Sequence, residues 1–166
     1  MLLDETQVRP LLDCLDTAEL TLVDDAVIAL LKQRGRAVLE SPTFLDSRES
    51  TVHVVLQAVA SVPESLVITW LHRWAREKCQ RSVIEGGTPQ TVRDVMRPFL
   101  GKVRFLALTA KEYVDGPGSR RLFDESEGYA ILSNIVSRGS TPLPDWVCRD
   151  DSARSPFRHL YGYAPL

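Results

Sequence analysis

The chain has 166 residues, 44% hydrophobic and 25% charged, with a formal net charge of −2. That length suits one globular domain, or one domain with a tail, able to bury about 68–70% of the surface that the unfolded chain exposes. The near-neutral charge gives no electrostatic reason to expect nucleic acid, whose binding usually needs a concentrated basic face, and no apolar run approaches the ~20 residues of a membrane span. The N-terminus also lacks the basic and continuously apolar regions of a signal peptide. Cys14, Cys79 and Cys148 are odd in number and widely spaced, which disfavours a disulfide framework or a zinc site and fits a reducing compartment, cytoplasmic or nuclear.

In chain order, residues 8–16 predict a short helix with Pro10 tolerated in its opening turn and Leu11, Leu12 and Leu15 on its buried face. Val23, Val27, Leu30, Leu31, Val38 and Leu39 then keep a helical period across residues 18–40. Gly35 interrupts that period at a cost of ~1 kcal/mol relative to Ala, so the stretch reads as one helix or two nearly collinear ones, ended by Ser41-Pro42. Phe44-Leu45 anchors a short connection, and Asp46 and Ser47 are candidate N-caps for a helix near 48–58 that turns Val52, Val55, Leu56 and Val59 inward. The run Thr51 to Leu56 is rich in β-branched residues and in isolation suits a strand. Helical neighbours on both sides argue against a lone strand.

A longer helix follows, about 63–81, with Leu66, Val67, Trp70, Leu71 and Trp74 on one stripe and Ser61 and Glu64 at the spacing of a capping box. It stops before Glu85-Gly86-Gly87. Thr88-Pro89 predicts the start of a helix reaching Leu100, which buries Val92, Val95, Met96 and Phe99 and is distorted or cut short by Pro98. Thr109 with Glu112 opens a helix of about 110–115 closed by Gly116-Pro117-Gly118. Asp124 with Glu127 opens one near 125–137 that carries Tyr129, Ile131, Leu132 and Ile135. No segment alternates apolar and polar residues as a half-buried strand does. The expected fold is all-α, stacked antiparallel helical hairpins over residues 1–138, with a core that includes Leu30, Leu31, Leu66, Val67, Leu71, Trp74, Val103 and Ile131. Residues 139–166 read as an extended tail whose Trp146, Phe157, Leu160, Tyr161 and Tyr163 suit docking on a surface.

No catalytic, cofactor or metal site is expected. His53, His72 and His159 have no ligand partner at metal spacing, and neither a Gly-rich phosphate loop nor a GxSxG serine is present. The adjacent carboxylates Asp24-Asp25 and Asp150-Asp151 would diverge by ~100° on a helix and cannot work as an acid/base pair. Glu64, Trp74 and Arg104 read as structural: Trp74 as core, Arg104 as a guanidinium bonding helix C-terminal carbonyls or pairing with Glu64 or Glu77. Trp70 suits either core or an interface hot spot. Leu12, Leu15, Asp16 and Glu19, in an acidic N-terminal segment with Asp13, Asp24 and Asp25, are candidates to receive a basic, amphipathic stretch of a partner.

Four segments recur in one order: Val38 to Leu45; Glu64, Leu66, Val67 and Trp74; Val103-Arg104-Phe105; and Thr109, Glu112 and Tyr113. This order resembles the BACK domain, the helical module that follows a BTB domain in cullin-3 ubiquitin-ligase adaptors, over roughly residues 10–137. Trp74-Ala75 with Cys79, and Glu112-Tyr113 with Gly116, are similar in detail to the BTB–BACK proteins that carry a PHR domain. The resemblance implies a non-enzymatic linker with protein partners, cullin-3 and a substrate or scaffold protein, and with its first helical pair, about 8–40, contributing to the cullin-3 contact. Dimerisation would come from a BTB domain absent from this chain. A second reading stays open, a helical protein-binding scaffold unrelated to ubiquitin transfer, cytoskeletal or chromatin-associated.

Overall fold

The computed structural model describes residues 7–14, 25–88 and 90–154, and among them every regular element is helical. The all-α expectation therefore holds. Leu15, Asp16, Glu19, Val23, Asp24, Pro89 and the tail aromatics Phe157, Leu160, Tyr161 and Tyr163 lie outside the described residues.

Helix α1 (Val8–Cys14) buries Val8 and Leu12 completely, whereas Leu11 is 37% exposed. The i, i+4 spacing puts Val8 and Leu12 on one face, and Leu11, a ~100° step away, turns out of it. Helix α2 (Asp25–Glu40) buries Val27, Leu30, Leu31, Val38 and Leu39 and kinks at Arg34 (φ −124°, ψ 27°), one residue before Gly35. A Cβ at Gly35 would lie 2.5 Å from Val59 Cγ2 and 3.0 Å from the Ala60 carbonyl oxygen. The glycine is there so that α2 can approach the turn after α3 this closely. Beyond Ser41, the 3₁₀ turn Pro42–Asp46 carries Phe44 into the core, edge-on to Trp70 with ring centroids 4.9 Å apart.

Helix α3 (Glu49–Ala58) buries Val52, Val55 and Leu56, with Val59 just beyond its end, so the β-branched run is helical. Its N-cap is Arg48, which makes no side-chain cap bond, and not Asp46 or Ser47, which belong to the preceding turn and its end. One orphan backbone donor is met from a distance. Asp13 of α1 accepts the Arg48 N–H (3.2 Å) and the Thr51 hydroxyl (2.5 Å), and the Arg48 guanidinium donates to the Asp13 carbonyl (2.8 Å).

Helix α4 (Glu64–Ile84) reaches beyond the expected end at 81 and buries Val67, Ile68, Trp70, Leu71, Trp74 and Ala75. Leu66, expected in the core, is only partly buried, because the inward stripe is centred on 67, 71 and 74. Trp74 is core: its indole donates to the Ser47 carbonyl (2.9 Å) and meets Phe99 edge-on at 5.2 Å. Thr91, not Thr88, caps α5 (Val92–Met96) through a capping box with Asp94. Val95, Met96 and Phe99 are buried and Val92 partly so. Pro98 cannot donate an i→i−4 bond, and the chain tightens there into the 3₁₀ segment Arg97–Lys102. The boxes expected at Thr109/Glu112 and Asp124/Glu127 both form, opening α6 (Ala110–Tyr113) and α7 (Glu125–Val136). Between these helices runs a wide π turn, Val114–Gly118, with Pro117 inside it.

Replacing Gly35 by Ala would gain ~1 kcal/mol in helix propensity. The Val59 methyl is stiff about χ1 and the Ala60 oxygen is backbone, so neither yields without moving the helix. Gly35→Ala is therefore expected to destabilise the fold by a net 1–3 kcal/mol or so in urea denaturation. Gly116→Ala, where nothing lies within 4 Å, should leave the midpoint unchanged. Equal midpoints for the two variants would contradict the close approach.

Candidate functional site

Glu64 opens α4, yet its carboxylate caps nothing local. The expected box with Ser61 does not form: Pro63 is the N-cap without a side-chain bond, and Ser61 sits in the left-handed region at φ 57°. Its N–H donates instead to the Arg154 carbonyl (2.8 Å). The Glu64 carboxylate points inward and takes a bidentate pair from Arg154, Nε to Oε2 at 2.7 Å and Nη2 to Oε1 at 2.9 Å, plus the backbone N–H of Arg104 at 2.9 Å. Arg154 also donates to the carbonyls of Leu56 (2.5 Å) and Lys102 (3.0 Å). The two side chains are 3% and 2% exposed. A guanidinium buried this far is tolerable because its planar fork matches a carboxylate and two of its other protons find carbonyls.

Arg154 belongs to the segment after α7, and residues 139–154 form a strap pinned at further places. At its start Asn134 of α7 donates to the Thr141 carbonyl (2.7 Å) and accepts the Gly139 N–H (2.8 Å). In its middle the Trp146 indole donates to Glu127 (2.9 Å), while its ring lies beside Phe123 (5.8 Å) and under the Arg97 guanidinium (4.9 Å). Glu127 also takes a bidentate pair from Arg97 (3.0 and 2.7 Å). That pair, foremost, holds the Glu127 carboxyl below the usual glutamate range against the opposing effect of its partial burial.

Arg104 makes its contacts through partners other than the expected ones. Its guanidinium bonds the carbonyls of Ser152 (3.1 Å) and Ala153 (3.3 Å) and pairs with Asp150 (3.2 Å), because Arg154 already occupies the Glu64 carboxylate. Glu77 is not its partner. Two of the partner-binding candidates need correcting. Leu12 is fully buried and Trp70 is 3% exposed, so neither is presented to a partner; the tight α1–α3 and Phe44–Trp70 contacts hold them inside. Leu15, Asp16 and Glu19 fall outside the described residues. Reading the sequence missed Arg154, Arg97 and the bonds of Glu127 to Arg97 and Trp146. The available signal was weak: an acid at the head of an apolar stripe, and an arginine in an aromatic-bearing tail.

Burial lowers the pKa of His53 and of His72, with Lys102 adding to the first effect and Arg120 and Arg76 to the second. Tyr113 is pushed up to about 12 by burial and donates its hydroxyl to the Gly128 carbonyl (3.0 Å), a packing role. Cys79 and Cys148 are free thiols. Among the described residues no group of three or more His, Cys, Asp or Glu is placed to hold a metal, and no helix is long and apolar enough to cross a membrane. Comparison with known proteins gives no match to a family model, to a curated protein or to a solved structure.

Removing Arg154 alone would strand a buried carboxylate. Arg154→Met is expected to cost roughly 3–5 kcal/mol in urea denaturation, and the double variant Arg154→Met/Glu64→Leu should recover part of that loss. A single variant as stable as the parent chain would show that the pair is not sealed.

Proposed function

We propose that this chain is a protein-interaction module without chemistry of its own, a BACK-like helical linker of a cullin-3 ubiquitin-ligase adaptor acting in the cytoplasm or nucleus. One observation carries the reading. Two of the segments on which the BACK resemblance rests meet in space: Glu64 accepts the N–H of Arg104 from 40 residues away, and Val103 and Phe105 flank that bond as buried residues. The fate of the buried polar groups also supports a scaffold. Glu64 and Arg154 use their bonds to hold backbone segments together, and Tyr113 bonds a helix carbonyl. None of these groups is left poised for proton transfer.

In this reading cullin-3 contacts the N-terminal helical pair, with a BTB domain supplying dimerisation and the main cullin contact, and a further protein is the substrate or scaffold. The test is co-purification of endogenous cullin-3 with the tagged full-length protein. Capture is expected, and it should survive nuclease treatment. A folded full-length protein that retains no cullin-3 would leave the helical scaffold outside ubiquitin transfer as the better reading.

A further inference from the structure

A cleft of about 280 Å³ lies between the first turns of α4 and the π turn after α6, with the buried Ile68 and Pro117 among its lining. Its charges are graded along α4. Lys111 and Asp115 pair with each other and cancel. Glu112 marks one end. The Thr109 N–H (2.9 Å) and hydroxyl (2.9 Å), and after them the Ser65 hydroxyl, hold its carboxyl below the usual glutamate range against a small opposing effect of burial. Both Thr109 bonds end on Oε2, and a carboxylate offers about four acceptor positions, so Glu112 has capacity for a cation. Arg120 marks the other end, beside His72, where it disfavours protonation of the imidazole. Ser65 and His72 stand roughly 10 Å apart along the helix. The last described residue, Arg154, sits at the negative end: it grips Glu64, the residue before Ser65, and its carbonyl takes the Ser61 N–H (2.8 Å).

We propose that residues 155–166 of this chain dock in the cleft in cis, with Phe157 on Ile68 and Pro117 and Arg158 against Glu112. Those twelve residues lie outside the described ones, and reach, size and charge all assign them here. Phe157 follows Arg154 by three residues, a span of up to ~10 Å, whereas Ile68 is one helical turn, ~6 Å, beyond Glu64. The volume fits one or two side chains; cavities that enclose whole small molecules run from roughly 300 Å³ upward. Successive side chains of an extended segment point to opposite sides, so Phe157 on the floor turns Arg158 to the rim. Glu112 stands at the end where the segment enters, and its carboxylate suits the guanidinium fork. A short tether gives an effective concentration on the order of 1 mM, which fills a site of ~0.1 mM intrinsic affinity about ten to one. The cleft is then a peptide site occupied by its own chain, and a partner must displace the segment to use it. The inference goes beyond the interaction-module reading and does not rest on cullin-3, so its failure leaves the cullin-3 capture result untouched.

The test uses the isotope-labelled full chain in solution. Nuclear Overhauser contacts between the Phe157 ring and the Ile68 methyls are expected, at an intensity independent of protein concentration. Phe157→Ala should shift the amides of residues 65–69 and 111–116 and leave those of α2 and α3 in place. Arg158→Glu should move the same amides in the same direction, by less. The peptide Ac-Ser-Pro-Phe-Arg-His-Leu-NH₂, added in trans, should bind the Phe157→Ala chain about tenfold more tightly than the parent chain, whose own segment competes. Absence of the Phe157–Ile68 contact, no effect of Arg158→Glu, shifts confined to other residues, or equal peptide binding by the two chains would each overturn the proposal. Contacts that grow with protein concentration would overturn it too, since the occupant would then be the segment of a second copy. If Phe157→Ala fails to fold, the contact in the unaltered chain decides alone.

Discussion

Glu64 and Arg154 face each other ninety residues apart in sequence, with side chains 3% and 2% exposed, and their contact constrains everything around it. Two opposite charges withdrawn from water are costly unless each remaining proton and lone pair is met. Here backbone meets part of that demand: the carbonyls of Leu56 and Lys102 and the N–H of Arg104. One ion pair thus ties the end of α3, the start of α4, the segment after the 3₁₀ turn at 97–102, and the last described residues into a single knot. A buried pair of this kind is weak grounds for net stability, since a well-packed apolar pair of similar volume can do as well. Its effect is to fix register. A strap displaced by one residue would put Ala153 or Ser155 where a guanidinium is required.

Each pin of the strap has its own physics. Asn134 mimics a turn by pairing with backbone on both sides, Trp146 combines an indole hydrogen bond with stacking on Phe123 and a cation above its ring, and Arg104 clamps two carbonyls and Asp150 at once. Losing the strap would therefore expose more than its own surface. Glu127 would lose the Trp146 indole, the aromatic group around Phe105 and Phe123 would lose its cover, and Glu64 would remain as an unpaired carboxylate. The helices and residues 139–154 are one cooperative body in this sense.

What could be read from the sequence was local. The Thr109/Glu112 and Asp124/Glu127 boxes, the tightening at Pro98 and the apolar stripe of α4 each depend on residues within a few positions of one another, and each is found in the structure. The Ser61/Glu64 box has the same spacing and failed, because Glu64 has a stronger partner that only the tertiary fold delivers. The caps of α3 failed for the same reason, with Asp13 serving from the first helix. Trp70 had two readings on periodicity alone, and the position of Phe44 settles it as core. Arg154 could not be found by any local rule.

If the Glu64–Arg154 knot holds the body together, the amides inside it should open only when the whole body does. Native-state hydrogen exchange on the full chain measures this at two positions: Ser61, whose N–H donates to the Arg154 carbonyl, and Arg104, whose N–H donates to Glu64. Both should exchange with the same opening free energy as the amide of Leu71 in the middle of α4, the behaviour of a global unfolding event. Exchange of Ser61 and Arg104 at the rate of a frayed terminus, while Leu71 stays protected, would contradict the central role given to this ion pair.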